Sequence, residues 1–181
     1  MKSIFKTLSF SLFLALALVS CKDEASIQNY FVAHQDLPEF LTLDLSPKML
    51  DISEVELSKE QKEIYKSFDK INILAYKAKN ISEENYTQEL EKVKTIFKNE
   101  KYSELMEFSD NGIKFRINTI GDEDTIDEFL VLASSRELGF AVVRVLGDNM
   151  QPEKLYQLIS QMKNADVDES QLQKLMNYFD E

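Results

Sequence analysis

The hydrophobic period of this chain changes along its length, and that change restricts it to a plan of helices laid against a sheet. Tyr86, Leu90, Val93 and Phe97 recur at helical spacing and form one apolar stripe. Ser82-Glu83-Glu84 supplies the cap and the acidic first turn of that helix, which is expected to run to about Lys98. From Ser103 the period is two. Ser103 to Ser109 reads as a strand, Asp110-Asn111-Gly112 as a tight turn, and Ile113, Phe115 and Ile117 alternate with Lys114, Arg116 and Asn118. Thr125 to Ala133 and Phe140 to Leu146 are nearly continuous in apolar residues, which predicts central strands. Gly121-Asp122-Glu123-Asp124 and Gly147-Asp148-Asn149 read as turns.

The rest of the chain fits the same plan. Ile27 to Val32 predicts a short helix, Phe40 to Leu45 a strand, and Ser46-Pro47 the start of a further helical turn over residues 48–51. Ser58 with Gln61 has capping-box spacing and opens a helix to about Phe68, with Ile64, Tyr65 and Phe68 inward. Ile71 to Ala78 predicts another strand. Pro152 starts a helix, and a last one is expected over about Glu169 to Phe179. The expected class is α+β: a largely antiparallel sheet with helices packed on one face, a two-layer sandwich. Any strand-helix-strand unit joining parallel strands would be right-handed.

The first residues carry an address. Lys2 and Lys6 precede an uncharged run, Leu8 to Val19, and Lys22-Asp23-Glu24 turns abruptly polar. This is the layout of a secretory signal peptide. The run is about a dozen residues, against about 20 for a membrane-spanning helix. Leu18-Val19-Ser20-Cys21 resembles the lipobox of bacterial lipoproteins, which implies cleavage before Cys21 and lipid on its sulfur and freed amine. Lys22-Asp23-Glu24 after that cysteine resembles the lipoprotein export signal of Bacteroidota, which implies the cell's outer face; the alternative is a merely solvated tether on a periplasm-facing lipoprotein, and the outer membrane is expected in both cases. Residues 1–20 are then the signal, 21–39 the lipidated start and tether, and 40–181 a single α+β domain. Cys21 is the one cysteine, so no intramolecular disulfide can form.

Charge excludes one class of partner. The chain has a net charge of −11, and loss of Lys2 and Lys6 makes it more acidic. Nucleic acid needs clustered Lys and Arg, so it is not an expected partner. The expected partners are the membrane, through lipid on Cys21, and an envelope protein.

Site chemistry is sparse. His34 is the one histidine, so zinc cannot find a His cluster, and it falls in an apparent linker before Pro38. Asp122, Glu123, Asp124, Asp127 and Glu128 form the densest carboxylate group, but without EF-hand spacing they read as a polar turn. Asp166, Asp168 and Glu169 read as the cap of the last helix. The four glycines sit at apparent turns and make no phosphate-binding loop. Tyr178 and Phe179 read as capping the core rather than as an exposed anchor. No cofactor, metal or catalytic residue is assigned.

Leu43-Asp44-Leu45-Ser46-Pro47-Lys48-Met49-Leu50, with Phe129-Leu130-Val131-Leu132 and Phe140-Ala141-Val142-Val143-Arg144-Val145-Leu146-Gly147-Asp148 before an amphipathic helix, resembles the domain of unknown function 4252 family. The resemblance covers most of residues 40–163. It implies a small Bacteroidota lipoprotein and carries no catalytic residues. Three functions stay open: a non-enzymatic interaction domain, a hydrolase of envelope glycans or peptides working through carboxylates, and a carrier of an apolar ligand. A filled core with shallow grooves would favour the first, a deep cleft with two buried carboxylates the second, and a large apolar cavity the third.

Overall fold

The computed structural model describes residues 25–46, 58–122, 124–151, 174–175 and 177–179. The elements in chain order are α1 (Ile27–His34), β1 (Phe40–Leu45), α2 (Lys59–Lys66), β2 (Phe68–Lys77), α3 (Glu83–Phe97), β3 (Ser103–Asp110), β4 (Ile113–Gly121), β5 (Ile126–Ser135) and β6 (Gly139–Met150). Six strands form one sheet in the order β1-β2-β6-β5-β4-β3, with every neighbouring pair antiparallel. The class is the expected α+β sandwich.

Local chemistry sets the element ends. Ser26 and Ser82 cap α1 and α3, each side chain accepting a backbone N–H three residues on. Asn111 (φ 47°) and Gly112 (φ 79°) close the β3–β4 hairpin, as the Asn-Gly pair predicts. The connection from β2 to β3 carries the chain from the second position to the far edge of the sheet. α3 lies along that path and packs on the sheet. Phe97, Val93 and Leu90 pack with Leu130, Leu132, Phe140 and Val142 in the main core.

Side chains alternate across a strand, so neighbours along β5 and β6 serve opposite faces. Leu130 and Val142 face α1 and α3, whereas Phe129, Val131, Val143 and Val145 join a second apolar cluster with Ile117, Ile126 and Met150. Burial on both faces explains the continuous apolar runs, and β5 and β6 are central as expected.

Four expectations need correction. α1, assigned to the tether, belongs to the fold: Ile27, Tyr30 and Phe31 are buried in the main core, and the Ile27 N–H donates to the Tyr102 hydroxyl at 2.9 Å. α2 stops at Lys66 because the Ser67 hydroxyl donates to the Ile64 carbonyl at 2.6 Å; Phe68 then pairs with Gly147 as the first residue of β2. Gly147-Asp148-Asn149 is not a turn. β6 continues to Met150, and Asn149 (φ 53°) makes a bulge where the register between Ile126 and Glu128 shifts. Glu128 leaves the carboxylate-rich turn and lies buried in β5.

The helical turn expected over residues 48–51 and the helix from Pro152 lie outside the described residues. Lys174, Leu175 and Asn177 to Phe179 are helical, as expected for the last helix. Among the described residues no helix is long and apolar enough to cross a membrane.

Candidate functional site

A groove of about 600 Å³ lies between the end of α1, the end of β2 and the first half of α3. Each element is placed there by packing already described: α1 by Ile27 and Phe31, α3 by its buried stripe, β2 by its pairing with β6. His34, Phe40, Tyr76, Asn85 and Glu89 are among its lining residues.

His34 is not in a linker. It is the last residue of α1 and its side chain is only 15% exposed. Nδ1 lies 2.7 Å from the Tyr30 carbonyl and Nε2 lies 3.0 Å from Glu89 Oε1. Both ring nitrogens therefore face acceptors, and a doubly protonated ring donates to both. The Tyr30 ring lies 4.0 Å and the Phe40 ring 4.8 Å from the imidazole, centroid to centroid.

Glu89 joins the group from α3. It accepts from the Tyr30 hydroxyl at 2.8 Å and from Lys92 Nζ at 2.6 Å. Burial alone would raise its carboxyl, but the hydrogen bonds from Lys92 and Tyr30 and the nearby positive charge outweigh it and hold the carboxyl below the usual range. Burial, the bond to Glu89 and that carboxylate's charge push the Tyr30 phenol far above its ordinary value. The four groups satisfy one another.

This network has a pH signature. The folded value of Glu89 lies below its unfolded one, so its contribution is present above about pH 5 and is lost as pH falls through the folded value. Glu89→Gln is expected to cost about 1.5–3 kcal/mol at neutral pH, the range for hydrogen bonds to a charged group. The gap to wild type should narrow as pH falls below about 4.5. Urea midpoints at stepped pH check this; a gap that stays constant into acid refutes the role given to Glu89.

The other candidates behave differently. Asp122 closes its turn through a backbone bond to the Thr125 carbonyl at 2.8 Å, Asp124 and Asp127 are exposed, and Glu123 lies outside the described residues. Among the described residues no three His, Cys, Asp or Glu side chains are grouped to hold a metal ion. The Tyr178 hydroxyl donates to the Glu39 carbonyl and accepts the Lys77 N–H, which seats the chain end on the fold, and Phe179 lines an apolar groove with Ala133 and Ala141. Cys21, Asp166, Asp168 and Glu169 lie outside the described residues.

The family model described as Domain of unknown function (DUF4252) matches residues 30–158. The chain belongs to that family. The DUF4252 span begins inside α1 and takes in every groove residue from His34 to Lys92. No curated protein and no solved structure matches.

Sequence reasoning singled out His34 and missed its partners. Two spacings held the signal. Tyr30 and His34 stand four apart on a helix, and Glu89 and Lys92 three apart, so each pair shares a face.

Proposed function

We propose that this chain is an outer-membrane lipoprotein, cut before Cys21 and held by lipid, whose domain is a non-enzymatic binding module. The observation that carries the binding reading is the groove beside α1 and α3: it is open, and Glu89 within it is engaged by His34, Tyr30 and Lys92. The core is filled by Phe97, Phe140, Leu74 and Leu130, each nearly inaccessible. Three further grooves, of about 170, 220 and 280 Å³, are open as well. These features fit a module that presents a surface. A hydrolase would want two buried carboxylates on one cleft, whereas Glu39 is exposed and Glu89 is spent on His34, Tyr30 and Lys92.

The anchor follows from chain chemistry. Each buried CH₂ contributes about 0.8 kcal/mol, one acyl chain holds only marginally, and two or more hold stably. Cys21→Ala is expected to abolish incorporation of an alkyne fatty acid and to move the protein out of the membrane fraction. If wild type takes up no label, the lipoprotein reading is wrong. Crosslinking in intact cells, wild type against Cys21→Ala, tests the module: one stoichiometric envelope partner or ligand, lost on release, supports it. Turnover of envelope glycan or peptide that is lost in Glu89→Gln overturns it in favour of the hydrolase. Protease added to intact cells distinguishes the surface from the periplasmic face.

A further inference from the structure

We propose that the groove between α1, β2 and α3 binds a neutral saccharide, an inference that rests on the binding-module reading above. Tyr76 is the first reason. Its residue is 6% exposed, and its hydroxyl makes no hydrogen bond among the described residues. It lines the groove. A phenol held this deep in the groove wall offers a donor and an acceptor to a ligand hydroxyl that reaches it.

The floor beside it is aromatic and held rigid. Phe40 lies 4.7 Å from Tyr76, and Phe140 lies 5.2 Å from it in a stacked arrangement behind. The walls carry the amides of Asn80, Asn85 and Gln88. Each amide offers donors and an acceptor, as sugar hydroxyls do. Asn80 is fixed in the left-handed region (φ 66°), and Gln88 is steadied by a bond to Glu84 at 3.2 Å. A pyranose has an apolar C–H face and a polar rim, which match the partly exposed Phe40 ring and the amide walls.

Charge narrows the class. Lys92 and the His34 ring both bond to Glu89 in the groove, and Glu39 adds an exposed carboxylate there. An anionic ligand would have to compete with Glu89 for Lys92 and would meet the Glu39 carboxylate. The volume, about 600 Å³, falls within the range of about 300–1,000 Å³ for small-molecule sites and admits a disaccharide.

The test uses the full chain in a detergent without a sugar headgroup. Cellobiose, maltose, lactose and diacetylchitobiose are titrated while the side-chain amide signals of Asn85 and Gln88 are followed by NMR. At least one is expected to shift those signals with a millimolar Kd. Tyr76→Phe, which keeps the ring, should weaken it about 3- to 10-fold, the loss of one neutral hydrogen bond. Asn85→Ala should weaken it comparably with no change in Tm. The inference is overturned if no sugar shifts these signals at about 20 mM, well into the millimolar range of weak sites, or if Tyr76→Phe binds as wild type does. If the sugars fail but a protein crosslinks through groove residues in cells, the saccharide inference falls and the binding-module reading stands. If both fail, both fall.

Discussion

Truncating Glu128 to alanine should destabilise the fold by about 3–5 kcal/mol, the cost of leaving a buried charge unpaired. Arg144 Nε and Nη2 donate to the two carboxylate oxygens of Glu128, each at 2.9 Å. The side chains are 13% and 9% exposed. The pair continues a polar row across the sheet: Asn72 stands opposite Arg144 and donates to Asp44 on β1. Without Glu128, Arg144 keeps its charge and loses its fork of acceptors. Replacing both partners by apolar residues, Glu128→Leu with Arg144→Met, should behave differently, falling within about 1 kcal/mol of wild type or above it, because the desolvation cost disappears with the charges. Urea unfolding of the singles and the double gives the coupling. A single-variant loss under about 1 kcal/mol, the range of solvated surface pairs, would show that water screens the pair.

The second large effect is at Gly139. Its φ is 127°, and a Cβ there would stand 2.1 Å from the Tyr76 carbonyl oxygen and 2.7 Å from Lys77 Cα. These are backbone atoms of the neighbouring strand, paired in register with β6, so neither can move without opening the β2–β6 ladder. Gly139→Ala is expected to cost about 3 kcal/mol or more, combining backbone strain with overpacking. Gly112→Ala supplies the control: its φ is also positive, but a Cβ there meets nothing within 4 Å. It should cost only about 1 kcal/mol, the penalty for the left-handed region alone. Equal losses at both positions would show that crowding against Tyr76 contributes nothing.

The residues that carry these effects divide along a physical line. Elements were legible because their signals are local. The stripe of α3 and the Asn111-Gly112 turn act within a few residues, and the twofold burial of β5 and β6 is written as unbroken apolar runs. What was illegible depended on distant partners. Gly147-Asp148-Asn149 has turn composition, yet pairing of Gly147 with Phe68 and of the following Met150 with Ile126 keeps it in the strand. His34 looked like linker because its nearest sequence landmark is Pro38, while Glu89, the residue that fixes it, lies on another helix. Tyr76 gave no signal at all, since an apolar strand position and a groove-facing hydroxyl are the same letter.

The docking of Ile27 also has a consequence for reach. With that residue fixed in the core, only a short stretch separates Cys21 from the fold, spanning at most about 20 Å when fully extended. The eight residues of α1 add about 12 Å before His34. A lipid on Cys21 would thus confine the groove to a shell about 35 Å deep above the bilayer, however the domain swings. A ligand attached to the same surface within that shell meets the groove at an effective concentration on the order of 10 mM. Millimolar contacts, negligible for free sugars at physiological dilution, would then be largely occupied, and occupancy would report what is attached to the membrane nearby rather than what is dissolved around it.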